Sequence, residues 1–305
     1  MTDTSARPEW VYPKGSAAHG GWFVSLGGHD SPTEVPGWAH TGLRVADLGP
    51  GEGLALDAVA EERIVVPLSG SFRVDAGGTT YALQGRASVF AGPTDVLYTG
   101  VRTDLTVIAE EGGRVAVASA PAKAEHPPRH LRREEIPVEL RGAGNCSRQV
   151  HNFGTPAALE ADRFIVCEVL TPAGNWSSYP PHKHDEEKEG ETALEEIYYF
   201  ETRVAEDVPG PGPEGADPMG YQRVYASDER PIDVSAEVRS GDVVLVPYGW
   251  HGPAMAAPGY DLYYLNVMAG PGRVREWLIS DDPHHGWVRR SWDEAEIDPR
   301  LPFGR

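Results

Sequence analysis

Three histidines and a pair of glutamates carry the most specific chemistry in this chain. His182 and His184 flank Lys183, Glu195 and Glu196 open the run Ile197-Tyr198-Tyr199-Phe200, and His251 follows Gly241-Asp242-Val243-Val244-Leu245-Val246-Pro247-Tyr248-Gly249-Trp250. On an extended strand, residues two apart face the same way, so His182 and His184 can converge on one point. Three imidazoles and a carboxylate from neighbouring strands form a donor set for Zn, Fe, Mn or Ni, with positions left over for a further ligand. Glu196 shares its face with Tyr198 and Phe200, whereas Glu195 shares its face with Ile197 and Tyr199. Spacing leaves either one as the carboxylate donor.

The elements that must position these groups read as strands. Arg63–Leu68, Ser71–Asp75, Thr79–Leu83, Ala87–Phe90, Leu105–Ala109 and Arg114–Ala118 are short β-branched or aromatic runs broken by Gly-rich turns, with a hairpin expected across Gly77-Gly78. The pattern resumes with Arg163–Leu170, Glu196–Glu201, Tyr221–Ala226, Val234–Arg239, Val243–Val246 and Tyr260–Met268; in the last, Tyr260, Leu262, Tyr264, Asn266 and Met268 share one face. Residues 204–220, with four prolines and four glycines, read as a loop. Sustained helical periodicity is scarce before the C-terminus.

The halves look like weak copies of each other. Glu61-Glu62 leads into a strand with Gly85 23 residues after Glu62, and Glu195-Glu196 leads into a strand with Gly241 45 residues after Glu196, the loop 204–220 absorbing much of the difference. The expected fold is therefore all-β, with two similar antiparallel barrels. Residues 1–120 form the first, the Pro- and charge-rich 121–150 connect, and 151–305 form the second. The first half has no H-x-H and nothing equivalent to His251, so it is expected to lack a metal site.

The 305 residues hold 27 Lys+Arg against 46 Asp+Glu, a net charge of −19, which argues against nucleic acid or an anionic membrane as partner. No stretch approaches 18 consecutive apolar residues, and the first sixteen residues are polar, unlike a secretory leader. Two cysteines, Cys146 and Cys167, do not make a disulfide framework. A cytoplasmic protein is expected.

Residues 174–251 resemble the two cupin motifs: Gly174, His182-Lys183-His184, Glu196, and Gly241-x5-Pro247-x-Gly249-Trp250-His251. Two departures stand out. Eleven residues separate His184 from Glu196 where cupins have three or four, and one residue rather than two separates Gly249 from His251. Pro180-Pro181-His182-Lys183-His184-Asp185, Glu191-Thr192, Leu194-Glu195-Glu196-Ile197-Tyr198-Tyr199-Phe200, Gln222-Arg223-Val224-Tyr225 and Leu262-Tyr263-Tyr264-Leu265-Asn266-Val267-Met268 resemble the bacterial 5-deoxy-glucuronate isomerases of inositol catabolism. The likeness runs nearly the full chain. It implies a bicupin, two jelly-roll-like barrels with little helix, and makes His182, His184, Glu196 and His251 the ligands of one divalent transition metal (Zn, Mn or Fe) per chain.

The reaction implied is 5-deoxy-D-glucuronate to 5-dehydro-2-deoxy-D-gluconate, an aldose–ketose exchange through a metal-stabilised enediolate. It needs a proton-transfer group, and Glu191, Glu195, Asp185 and Lys183 stand closest in sequence to the ligands. The substrate is a small sugar acid, so an acidic chain needs a local cation for its carboxylate. Arg223 is the first choice, then Lys183 and Arg148; Tyr198, Tyr264 and Asn266 are expected to line the cavity. His284 and His285 are expected mainly to serve packing. The same ligands would suit an Fe(II) cupin dioxygenase or a non-catalytic sugar-binding cupin. A homodimer is expected from the strand edges that cupins cover with a partner.

Overall fold

The computed structural model describes residues 10–208, 212, 214–227 and 230–304. Its strands pair antiparallel throughout, and the helical segments among the described residues are short 3-10 turns, the longest being Gly286–Glu294. The expected hairpin closes at Ala76 and Thr79, with Gly77 and Gly78 at φ 53° and 81°, values that side-chain-bearing residues rarely adopt. No helix among the described residues is long and apolar enough to cross a membrane.

Two barrels share a wall. The first is closed by the nine-stranded sheet around Glu61–Ala76 and Gly113–Pro121, with Phe72, Val74, Leu97, Val107 and Val117 inside. The second lies between a seven-stranded sheet centred on Glu195–Val204 and Tyr260–Ala269 and a six-stranded sheet centred on Gly220–Tyr225 and Trp250–Ala256. Its interior holds Tyr198, Phe200, Val224, Val244, Tyr264 and Met268. The seven-stranded sheet is buried on both faces. Ile197, Tyr199, Leu245, Tyr263 and Leu265 turn outward and join Leu43, Val45, Ile64 and Val66 in a core common to both halves. These strands therefore read as almost unbroken apolar runs.

Buried polar contacts also cross the shared wall. Glu62 accepts the backbone N–H groups of Asp162, Arg163 and Phe164 at 2.6–2.8 Å and the hydroxyl of Tyr98 at 2.9 Å. Glu195 does the reverse, accepting the N–H groups of Ala39, His40 and Thr41 and the Thr41 hydroxyl. Between them, Arg86 forks onto Glu168 with two 2.7 Å hydrogen bonds, and Glu168 also binds His151 Nδ1 at 2.6 Å and the Tyr263 hydroxyl at 2.7 Å.

Sheet membership differs from the expected boundaries at both ends and in the middle. Val11–Tyr12 pairs with Val243 and Val244 of the second half, and Arg129–Leu131, expected in the connection, completes the first half's sheet against Val96–Tyr98. Phe303 packs on Phe90 of the first half, 6.2 Å between ring centroids. Strand edges need hydrogen-bond partners, and any nearby extended segment can supply them whatever its place in the sequence.

Candidate metal centre

The second barrel gathers the three histidines. His182 and His251 are register partners on adjacent strands of the six-stranded sheet, and His184 follows two residues on. Their ring nitrogens lie within 4.8 Å of one another, and all three side chains are buried. The strand Glu195–Val204 brings Glu196 in from the facing sheet. Glu196 Oε2 lies 3.1 Å from His184 Nε2 and 3.1 Å from His251 Nε2, and those two nitrogens are 3.1 Å apart. Gly252, at φ 113°, keeps the sheets close: a Cβ there would sit 2.8 Å from His182 Cε1 and 2.3 Å from the Ser178 carbonyl oxygen.

Backbone carbonyls fix the imidazole tautomers. Leu194 O lies 3.2 Å from His184 Nδ1, Gly249 O 2.8 Å from His251 Nδ1, and Pro180 O 3.4 Å from His182 Nδ1. A carbonyl only accepts, so the proton sits on Nδ1 and the lone pair on Nε2 points into the cluster. Opposed lone pairs beside a carboxylate repel unless a cation lies among them. The electrostatics agree. Burial and the neighbouring imidazoles push His182 well below its usual range. Against the cost of burial, Glu196 holds His184 above its own. Burial alone would raise Glu196, but His184 and His251 hold it down to about 2. A buried donor set of three nitrogens and one carboxylate fits a divalent transition metal.

A cavity of about 260 Å³ opens beside the cluster, with His182 and Glu196 in its wall. Tyr198, Tyr264 and Asn266 line it as expected from their strand faces, and so does Arg148. Arg141, Ser178, Tyr179, Trp277, Ile279 and Arg289 line it too, and sequence reasoning missed them. Arg289 arrives from the segment carrying Asp282-Pro283-x-His285-x-Trp287, but His284 and His285 are exposed and stay outside the wall.

Arg148 is the unusual cation. Arg141 is paired with Glu139, and Arg289 with Asp281. Arg148 is buried, donates to the Cys146 carbonyl at 2.9 Å and stacks over Trp292 at 5.3 Å, with no carboxylate partner among the described residues. Burial pushes its pKa down to about 10, the mark of a charge lacking its counter-ion.

Several expected roles are corrected by strand geometry. Arg223 lies on the outer face of its strand, because Gln222 and Val224 turn inward; its guanidinium is taken by Asp233 and the carbonyls of Val224 and Val234. Glu195 faces the shared wall, one residue out of phase with Glu196. Lys183 points away from its flanking histidines into a buried charge cluster, 2.7 Å from Asp185 Oδ1 and 2.8 Å from Glu191 Oε1. Asp185 also takes Arg230 and the Gly249 N–H, each at 2.8 Å, which fixes the turn into His251. Glu191 accepts the N–H groups of Asp185 and Glu186. None of these five reaches the cavity wall.

Fold and site together define a double cupin with a cluster of three histidines and one glutamate in its second barrel. The oxalate decarboxylase of Lactobacillus farciminis shares the fold alone, at TM-score 0.54 and 12% identity over 81% of this chain and 80% of that one. The chain belongs to the KduI/IolB family, whose sequence model matches residues 16–288. An IolB-like protein from Salmonella typhimurium LT2 superposes at TM-score 0.79 with 34% identity, covering 92% of this chain and 98% of that one. The 5-deoxy-glucuronate isomerase of Geobacillus kaustophilus is 42% identical over 85% of this chain and 89% of its own length. That of Bacillus subtilis strain 168 is 36% identical over 85% and 92%.

Proposed function

We propose that this chain interconverts 5-deoxy-D-glucuronate and 5-dehydro-2-deoxy-D-gluconate in inositol catabolism. It would use one Zn, Mn or Fe ion held by His182, His184, Glu196 and His251. The observation that carries the reading is a single cavity faced by two unsatisfied demands, a donor cluster that needs a cation and a buried guanidinium that needs an anion. A sugar acid with a carbonyl at one end and a carboxylate at the other suits both. A bound divalent ion supplies Lewis acidity that stabilises negative charge developing on the substrate oxygens.

The chain's own residues do the rest. Arg148 holds the carboxylate in a charge-assisted, bidentate grip that sets which end of the substrate reaches the cluster. Arg141 and Arg289, each neutralised by its own carboxylate, complete the wall around it, so the net cation offered to the substrate is Arg148, in a chain of net charge −19. Tyr198 and Asn266 offer polar groups to the sugar hydroxyls. The supporting cluster of Lys183, Asp185 and Glu191 keeps the loops carrying His184 and His251 in place.

The test is to incubate metal-analysed protein with 5-deoxy-glucuronate while following ketose formation and dissolved oxygen. Ketose formation at constant oxygen, lost together with bound metal in His184→Ala, supports the reading; oxygen uptake would replace it with a dioxygenase. The protein is further read as cytoplasmic and homodimeric. The outward row Trp176, Met255 and Tyr221, with Trp176 and Tyr221 39% and 38% exposed, supports a self-association that sedimentation can test.

A further inference from the structure

An aldose–ketose exchange moves two protons. One leaves a carbon and returns to its neighbour; the other leaves a hydroxyl oxygen and arrives on the former carbonyl oxygen. From the placement of two hydroxyls in the cavity wall, we infer that Ser178 and Tyr264 form the relay that carries the second proton. This rests on the isomerase reading above.

Ser178 Oγ and Tyr264 Oη are 2.8 Å apart, both line the cavity, and either can donate to the other. Tyr264 Oη also lies 3.0 Å from Ser177 Oγ. Ser177 is committed: it donates to the Ala254 carbonyl at 3.2 Å and accepts from Thr171 Oγ1 at 2.7 Å. Ser177 can therefore only accept from Tyr264. Ser178 also shares a hydrogen bond with Tyr198; with Tyr198 donating there, the Ser178–Tyr264 bond remains free to run in either direction, as a two-state relay requires.

Backbone geometry at Ser178 points the same way. Its φ of 48° is left-handed, a conformation costing a non-glycine residue about 1–3 kcal/mol and concentrated at functional sites. Ser178 carries that cost while presenting its hydroxyl to both Tyr264 and the cavity.

The step balances. The substrate hydroxyl's O–H bond breaks as its proton passes to Ser178 Oγ. The Ser178 proton passes to Tyr264 Oη, and the Tyr264 proton forms the new O–H bond on the former carbonyl oxygen. Both side chains start and end neutral with their mutual hydrogen bond reversed, so neither has to ionise in the buried wall. The carbon-to-carbon transfer is a separate event.

The test is a double-mutant cycle on the metal-loaded full chain, with Tyr264→Phe, Ser178→Ala and the two combined. Each single variant should lose about 100-fold in kcat, within the range for positioned proton transfer, with metal content kept and KM changed by only about threefold. Because the two act as one unit, the combined variant should lose little more than the worse single one. Independent structural damage would instead multiply the losses. A multiplicative double variant, or single losses below about tenfold, overturns the relay and leaves the isomerase standing. A wild-type protein without turnover on 5-deoxy-glucuronate removes the isomerase reading, and the relay with it.

Discussion

Replacing Glu195 with alanine separates the two roles open to a glutamate beside Glu196, the carboxylate at the histidine cluster. Its carboxylate accepts at 2.6 Å from the His40 N–H, 2.6 Å from the Thr41 N–H, 3.0 Å from the Thr41 hydroxyl and 3.1 Å from the Ala39 N–H. Truncation strands the two Thr41 donors in the buried wall and the His40 N–H beside it, at about 1–3 kcal/mol for each one left buried and unpaired, while the exposed Ala39 N–H can turn to water. An opposing effect reduces the sum. Burial raises the Glu195 carboxyl above its usual range, and the donors only partly bring it back, so removing the charge recovers some desolvation. Taking the low end for those three donors and allowing for that recovery gives a net loss of about 2 kcal/mol, or a Tm lower by about 4–8 °C. Calorimetry measures the Tm, and kcat per bound metal ion measures the site. Expected are a lower Tm, unchanged metal content and kcat within about twofold of wild type. An unchanged Tm with turnover lost would refute the reasoning and make Glu195 the proton-transfer group.

Two further outcomes follow from buried charges. Arg148→Met should raise the KM for the sugar acid by about 10–100-fold, the value of a charged hydrogen-bonded pair at about 1.5–3 kcal/mol, with kcat changed much less; Arg223→Met should leave KM unaltered, and equal effects would return the carboxylate to Arg223. Burial would raise the carboxyl of Glu168, but Arg86 and His151 hold it at about 2 against a usual 4.5. Its pKa is depressed in the fold, so its stabilisation of about 3 kcal/mol is present above pH 4.5 and drains away as pH falls from there toward 2. Denaturant unfolding between about pH 5 and pH 3 should show about half of that loss. Glu168→Gln should flatten the dependence but lower stability at neutral pH, because Arg86 is left buried without its counter-charge.

How much the sequence disclosed depends on which question alternation can answer. Most strand identities were legible from β-branched runs and glycine breaks, and the Gly77-Gly78 hairpin and the shared face of Leu262, Tyr264, Asn266 and Met268 appear as expected, whereas Ala87–Phe90, expected as a strand, runs into the 3-10 turn Val89–Ala91. The histidines were legible because an H-x-H converges on any strand. The choice between Glu195 and Glu196 was not. Alternation says that neighbours point oppositely, but a sheet buried on both faces gives no polar side to mark the outside. Packing of Ile197 and Tyr199 on the first half decides it, sending Glu195 to the wall and Glu196 to the histidines.

The cations show the same division. Sequence called for an arginine to hold a carboxylate and put Arg223, on the strand Gln222-Arg223-Val224-Tyr225, first. Only the folded barrel shows that Asp233 already neutralises Arg223, while Arg148, from the far side of the motif, enters the cavity without a carboxylate partner among the described residues. Lys183, Asp185 and Glu191 stand closest to the ligands in sequence, but in the fold the two carboxylates pair with Lys183 away from the cavity wall. Residue types and their order determined the chemistry available here, a metal-binding cluster on strands and an acidic chain in need of a local cation. Which charges cancel and which face the cavity was left to tertiary structure, because cancellation depends on distances between segments that the sequence keeps far apart.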